Sequence, residues 1–143
     1  MRYIELNHAA RDVMMSQGVN TAGEPPVAGA TITVGAEDTN VREITIQLTD
    51  AQGNDITTRQ AVHIGVFLDA NPDAFVTTGG STGIAIGTDG ALLAIIAKKL
   101  FLAVSEADGD IDLTWTDTGT EAAYLGVILP DGRIIMSSAL TNT

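Results

Sequence analysis

The sequence predicts an all-β fold: an antiparallel β-sandwich of seven to eight strands, immunoglobulin-like or jelly-roll in topology, with an N-terminal arm. Three observations predict it. The stretch from Ala103 to Thr141 reads as strand, turn, strand, tight turn, strand, with Asp108-Gly109 and Pro130-Asp131-Gly132-Arg133 supplying the turn chemistry. Val41 to Leu48 and Ala61 to Leu68 alternate with the period of two that a half-buried strand requires. Strand-sized runs recur between turn signals at the spacing of a sandwich. The 143 residues make one domain that buries most of its surface without staples. Apolar residues make up 45% of the chain but aromatics only 4%, and cysteine is absent, so the core is built from Val, Ile, Leu and Ala.

Residues 1–30 are assigned to the arm and 31–143 to the sandwich. Asn7 to Met15 reads as a short helix capped by Asn7. Ser16 to Ala30, with Gly18, Gly23 and Pro25-Pro26, reads as extended irregular chain. The alternative is a first strand through Tyr3, Ile4 and Leu6 followed by a long loop.

Thr31 to Val34 is a short strand. In the next, Ile44, Ile46 and Leu48 face one way and Glu43, Thr45 and Gln47 the other. A polar turn over Asp50 to Asp55 leads to the strand with Val62, Ile64, Val66 and Leu68 on one face and His63, Gly65 and Phe67 opposite. Asp69 to Gly83 is a long loop, a length that often accompanies partner contact. Ser81 to Ile86 holds one short edge strand. Ala91 to Val104 is read as two strands kinked near Ala97-Lys98-Lys99, although Ala, Leu and Lys also favour helix. Trp115 shares a face with Ile111 and Leu113, which makes it a core anchor.

Charge narrows the function classes. Eighteen acidic and 7 basic residues give a net charge of −11. This opposes binding to nucleic acid, whose affinity comes from Lys and Arg displacing counterions, and to an anionic membrane surface. No run approaches the ~18 uninterrupted apolar residues of a membrane span, and Met1 to Gln17 lacks the apolar core of a signal peptide. Neither nucleic acid nor membrane is expected as a partner.

No catalytic constellation is written in the chain. Asp108, Asp110 and Asp112 begin like a calcium loop, which requires Gly at its sixth position and Glu at its twelfth. Those places hold Leu113 and Gly119. Asp110 and Asp112 still share a strand face, leaving an incidental surface calcium site as the weaker reading beside a turn feeding a strand. His8 and His63 lack companions at zinc spacing. Gly79-Gly80-Ser81-Thr82-Gly83 lacks the Lys and helix of a phosphate loop. The expectation is a non-enzyme with no cofactor. Lys98-Lys99 is the one local cluster of positive charge, suited to acidic groups on a neighbouring subunit.

Several runs resemble those of small virion structural proteins of tailed bacteriophages: Ile46-Gln47-Leu48-Thr49-Asp50-Ala51-Gln52-Gly53, Gly87-Thr88-Asp89-Gly90, Val104 to Thr114, and Leu129-Pro130-Asp131-Gly132-Arg133. The resemblance covers Val41 to Thr141 and rests on turns and strands. It implies a capsid decoration or cement protein with an immunoglobulin-like or jelly-roll domain, on the outer capsid surface of the virion, stabilising contacts between major capsid proteins. The implied partners are the major capsid protein and further copies of the chain, as a dimer or trimer. The alternative is an immunoglobulin-like module of a neck, tail or fibre that serves attachment. The residues expected to make contact are Met1, Arg2, Tyr3, Ile4, Met14, Met15, Pro25 and Pro26 of the arm, with Phe75 in the long loop and Lys98 and Lys99. An extended arm would add a strand to a neighbour through backbone hydrogen bonds.

Overall fold

A computed structural model describes residues 27–143. Nine strands form two antiparallel sheets: β1 (Gly29–Val34), β2 (Val41–Thr49), β3 (Ala61–Phe67), β4 (Gly83–Ile86), β5 (Ala91–Ile96), β6 (Leu100–Val104), β7 (Asp110–Thr116), β8 (Tyr124–Ile128) and β9 (Ile134–Ala139). Sheet A has the order β1-β2-β7-β4, and sheet B the order β5-β6-β3-β8-β9. The sandwich is as expected, with nine strands where seven to eight were expected, and the short edge strand expected within Ser81 to Ile86 is β4. The expected arm residues through Pro26 lie outside the described residues. β1 starts at Gly29 and Val27 is buried, so the sheet reaches back past Thr31.

In space, four strands against five is the arrangement of an immunoglobulin variable domain. The chain visits the positions in a different sequence. From β3 it crosses to the far edge of sheet A as β4, then crosses back to the far edge of sheet B as β5. It then turns inward as β6, which pairs with β3. A variable domain instead fills the sheet-B positions before crossing.

The core follows from register. In sheet A, Ile46 lies opposite Ile32 and Ile111, and Ile44 opposite Val34 and Leu113. In sheet B, Ile64 lies opposite Phe101 and Val127, and Val66 opposite Leu125. Trp115 is completely buried, as its face required. Burying each such Ile, Leu or Val contributes about 1.5–3 kcal/mol relative to exposure.

Ala91–Val104 forms the two expected strands, β5 and β6, joined by a tight hairpin turn rather than a kink. The three residues Ala97-Lys98-Lys99 reverse the chain, Lys98 takes a positive φ of 65°, and the Lys99 N–H donates to the Ile96 carbonyl at 3.0 Å. A non-glycine residue in that conformation is strained. It is held by its own side chain, whose Nζ donates to the carbonyls of Gly80 and Ser81, both at 3.0 Å.

Candidate interaction surface

The two outer faces of the sandwich differ in chemistry. Residues directly opposite on antiparallel strands share a face, so register identifies each face. Outside sheet A, one cross-strand row is Thr31, Gln47 and Asp110, and the next is Thr33, Thr45 and Asp112. Outside sheet B, the corresponding row is Leu93, Leu102, His63, Ile128 and Ile134, one residue from each strand. None of β3, β5, β6, β8 and β9 contains Lys, Arg, Asp or Glu. An antiparallel sheet with a wet face places polar residues there. Sheet B places apolar ones.

The neighbouring row is Leu100, Gly65, Gly126 and Met136. Its two glycines leave a trough that the Phe67 ring fills. A Cβ on Gly65 would stand 2.7 Å from Phe67 Cζ, and one on Gly126 2.6 Å from Cε2. Phe75 stacks on that ring with centroids 5.6 Å apart and planes 17° from parallel, and stays 40% exposed. Its expected place on the surface therefore belongs to an apolar platform. At the edge of the sheet, β5 exposes Leu93 (64%), Ile95 (53%) and Ile96 (45%).

The long loop after β3 is pinned rather than loose. The Leu68 N–H donates to the Ala74 carbonyl and the Val76 N–H to the Val66 carbonyl, folding it back on its strand. Farther on, the Glu121 carboxylate accepts from three successive backbone N–H groups: Thr78 at 2.6 Å, Gly79 at 3.0 Å and Gly80 at 2.8 Å. Asp117 accepts from Ser81, Gly119 and Glu121. Consecutive N–H groups of this kind make an anion-binding concavity. Here the protein's own carboxylates, those of Glu121 and Asp117, fill it. An open cavity of about 540 Å³ runs between this loop and Asp117–Ala122.

The acidic cluster differs from the expected one. Asp89, from the turn between β4 and β5, joins Asp110 and Asp112, with carboxylate oxygens all within 4.8 Å of one another. Asp108 is not part of this group; its carboxylate accepts from the Asp110 N–H at 3.2 Å. The Thr88 hydroxyl donates to Asp112, and the Asp112 N–H to the Asp89 carbonyl. Asp110 Oδ1 is buried without a hydrogen-bond partner among the described residues. Its carboxyl is held above the usual carboxylate range, first by burial and then by the charges of Asp112, Asp108 and Asp89. Calcium takes six to eight oxygens. The three carboxylates would offer only part of that set.

Lys98 is engaged within the chain. Lys99, beside it, makes no side-chain hydrogen bond among the described residues. Met1, Arg2, Tyr3, Ile4, Met14, Met15, Pro25 and Pro26 lie outside the described residues. Sequence reasoning placed His63 on an outward face but missed its neighbours Leu93, Leu102, Ile128 and Ile134. The signal available was the lack of charge from five strand runs in a chain of net charge −11. No protein-family model, curated protein or solved structure gives a significant match to the chain.

Proposed function

We propose that this chain is a non-enzymatic structural protein of the capsid decoration or cement type, attaching to the outer surface of a phage head through the outward face of sheet B. One observation carries the reading. The sandwich has an uncharged apolar face across five strands and a polar, acidic face on the other side. A protein that is covered on one side and wet on the other needs this division. Contiguous exposed apolar surface on a soluble protein marks an interaction site. Sequence resemblance supports the virion setting, and the acidic side would repel packaged DNA, which suits an external position. Weak single contacts suffice when many copies bind one lattice.

The test is co-sedimentation of the purified protein with capsid shells stripped of accessory proteins. Saturable binding at a fixed ratio to the major capsid protein is expected, lost on Leu102→Lys. Absence of binding at high protein concentration would overturn the reading and favour a neck, tail or fibre component.

A further inference from the structure

The apolar row outside sheet B ends beside the root of the N-terminal segment. The row runs Leu93, Leu102, His63, Ile128 and Ile134, and its last member opens β9. β9 lies against β1, and Arg133, immediately before Ile134, donates from its side chain to the Ala28 carbonyl. The Ala28 N–H donates in turn to the Thr49 carbonyl at 2.9 Å, and Val27 is buried. Residues 1–26 therefore join the sandwich at one end of that row.

We infer that residues 1–26 are the cover of this face. In the unattached protein they fold back past β9 onto the outer face of sheet B of their own copy, and attachment to the shell displaces them. Three observations select this occupant. The first is reach. Strands lie about 4.8 Å apart, so the row from Ile134 to Leu93 is about 19 Å long. The eleven residues from Ser16 to Pro26 span up to about 36 Å when extended. They are long enough to set the helix expected over Asn7 to Met15 across the middle strands. The second is pattern. Tyr3, Leu6, Ala10 and Val13 recur at spacings of three and four, which places them on one helical face. Glu5, His8, Arg11 and Asp12 fall on the opposite face. An amphipathic helix lays such a stripe on an apolar surface. The third is charge. The five strands of sheet B carry none, and neither does the stripe. Residues 1–26 hold two basic and three acidic side chains, whereas a second copy in the same place would bring a net charge of −11.

The displacement step rests on attachment through the sheet B face, and it gives that attachment a control. The cover keeps the apolar face out of water until a shell is met. A tethered segment competes at an effective concentration of about millimolar. A covered copy therefore binds the shell less tightly than an uncovered one.

The chain has no cysteine, so a nitroxide on Ser16→Cys, outside the stripe, reports where the segment lies in the full chain. Paramagnetic broadening of amide signals is expected to be strongest at Leu102, His63 and Ile128, and weaker at Thr45 and Asp112 outside sheet A. Spin-labelled chain mixed with unlabelled, isotope-enriched chain should transfer no broadening, because the cover belongs to its own copy. Leu6→Asp combined with Val13→Asp should abolish the broadening on sheet B and tighten shell binding at least tenfold. A dispersed amide spectrum establishes that this variant is folded. Absence of broadening on sheet B, or broadening carried between copies, overturns the inference. In a protein that binds shells, binding unchanged or weakened by the paired substitutions also overturns it, since the segment would then be idle or itself a shell contact. Shell binding that is lost on Leu102→Lys, with no broadening on that face, would overturn the cover alone. Broadening on sheet B in a chain that binds no shells, with or without the paired substitutions, would overturn the attachment reading alone.

Discussion

Arg42 Nε donates to Asn142 Oδ1 at 3.0 Å and so ties the C-terminal segment to the end of sheet A. The same guanidinium donates to the carbonyls of Gly35, Leu140 and Thr141. Asn142 is almost fully buried, and its amide donates to the carbonyls of Asn40 and Asp117, each at 2.9 Å. The planar fork of Arg serves several oxygens at once, which a Lys ammonium does not reproduce. Removing one side of this latch strands buried polar groups. Arg42→Lys and Asn142→Ala are each expected to lower unfolding free energy by about 1–3 kcal/mol. Urea denaturation should show a lower midpoint with unchanged slope.

Glu121 holds the Gly79-Gly80 loop by three charge-assisted hydrogen bonds. Glu121→Gln keeps the shape but removes the charge, and its amide nitrogen turns a donor toward N–H groups that need acceptors. A loss of about 1–3 kcal/mol is expected. Amide exchange separates this from a general loss: Thr78, Gly79 and Gly80 should exchange faster than the β3 and β8 amides. Uniform acceleration across those strands would contradict a local role.

Asp110 makes the stability of the fold depend on pH. Its carboxyl is raised in the folded protein by burial and by Asp112, Asp108 and Asp89. The folded state therefore holds the proton more tightly than the unfolded state. This group's contribution is fully present below the ordinary carboxylate range and is lost as pH rises through the raised folded value. Asp110→Asn should thus stabilise the protein at neutral pH, by about 0.2–1 kcal/mol once solvent screening is allowed for. The gain should vanish in acid. Thermal melts at pH 7 and pH 3 check the sign: a variant less stable than the parent at pH 7 contradicts it.

Much of the sandwich is legible in the chain because its physics is local. Ile44, Ile46 and Leu48 alternate against Glu43, Thr45 and Gln47, and the turns at Gly109 and Gly132 adopt positive φ as their residue types require. The hairpin at Lys98 is not legible in that way. Its left-handed residue is a Lys, stabilised by carbonyls of Gly80 and Ser81 that lie far off in sequence. Strand order is hidden for the same reason, since no local signal says that β3 leads to the far edge of sheet A. The acidic cluster was half visible: Asp110 and Asp112 share a face by periodicity, while Asp89 arrives only because the turn before β5 runs beside β7. The apolar outer face was masked by mixed readings. Leu102 and Ile128 look like core residues until register sets them opposite His63.

Phe67 and Gly126 form a ring-and-trough pair that gives sheet B its outer relief. Gly126 is buried, and a Cβ there would stand 2.6 Å from the Phe67 ring, 3.0 Å from Ile134 Cγ2 and 3.0 Å from Met136 Sδ. Gly126→Ala must therefore displace the ring, a small-to-large change expected to cost about 1–3 kcal/mol. Phe67→Ala loses the buried ring and leaves its trough open, at about 3–5 kcal/mol. With the ring gone, the 2.6 Å clash is removed and only the 3.0 Å approaches to Ile134 Cγ2 and Met136 Sδ remain, so the double variant should be only slightly less stable than Phe67→Ala alone. The two costs are then strongly non-additive. A double-mutant cycle by urea denaturation measures this. Simple addition of the two costs would mean that Phe67 does not occupy the trough over Gly126. Because Phe75 rests on Phe67, displacement of the ring should also raise Phe75 exposure and weaken shell binding by more than the stability loss explains.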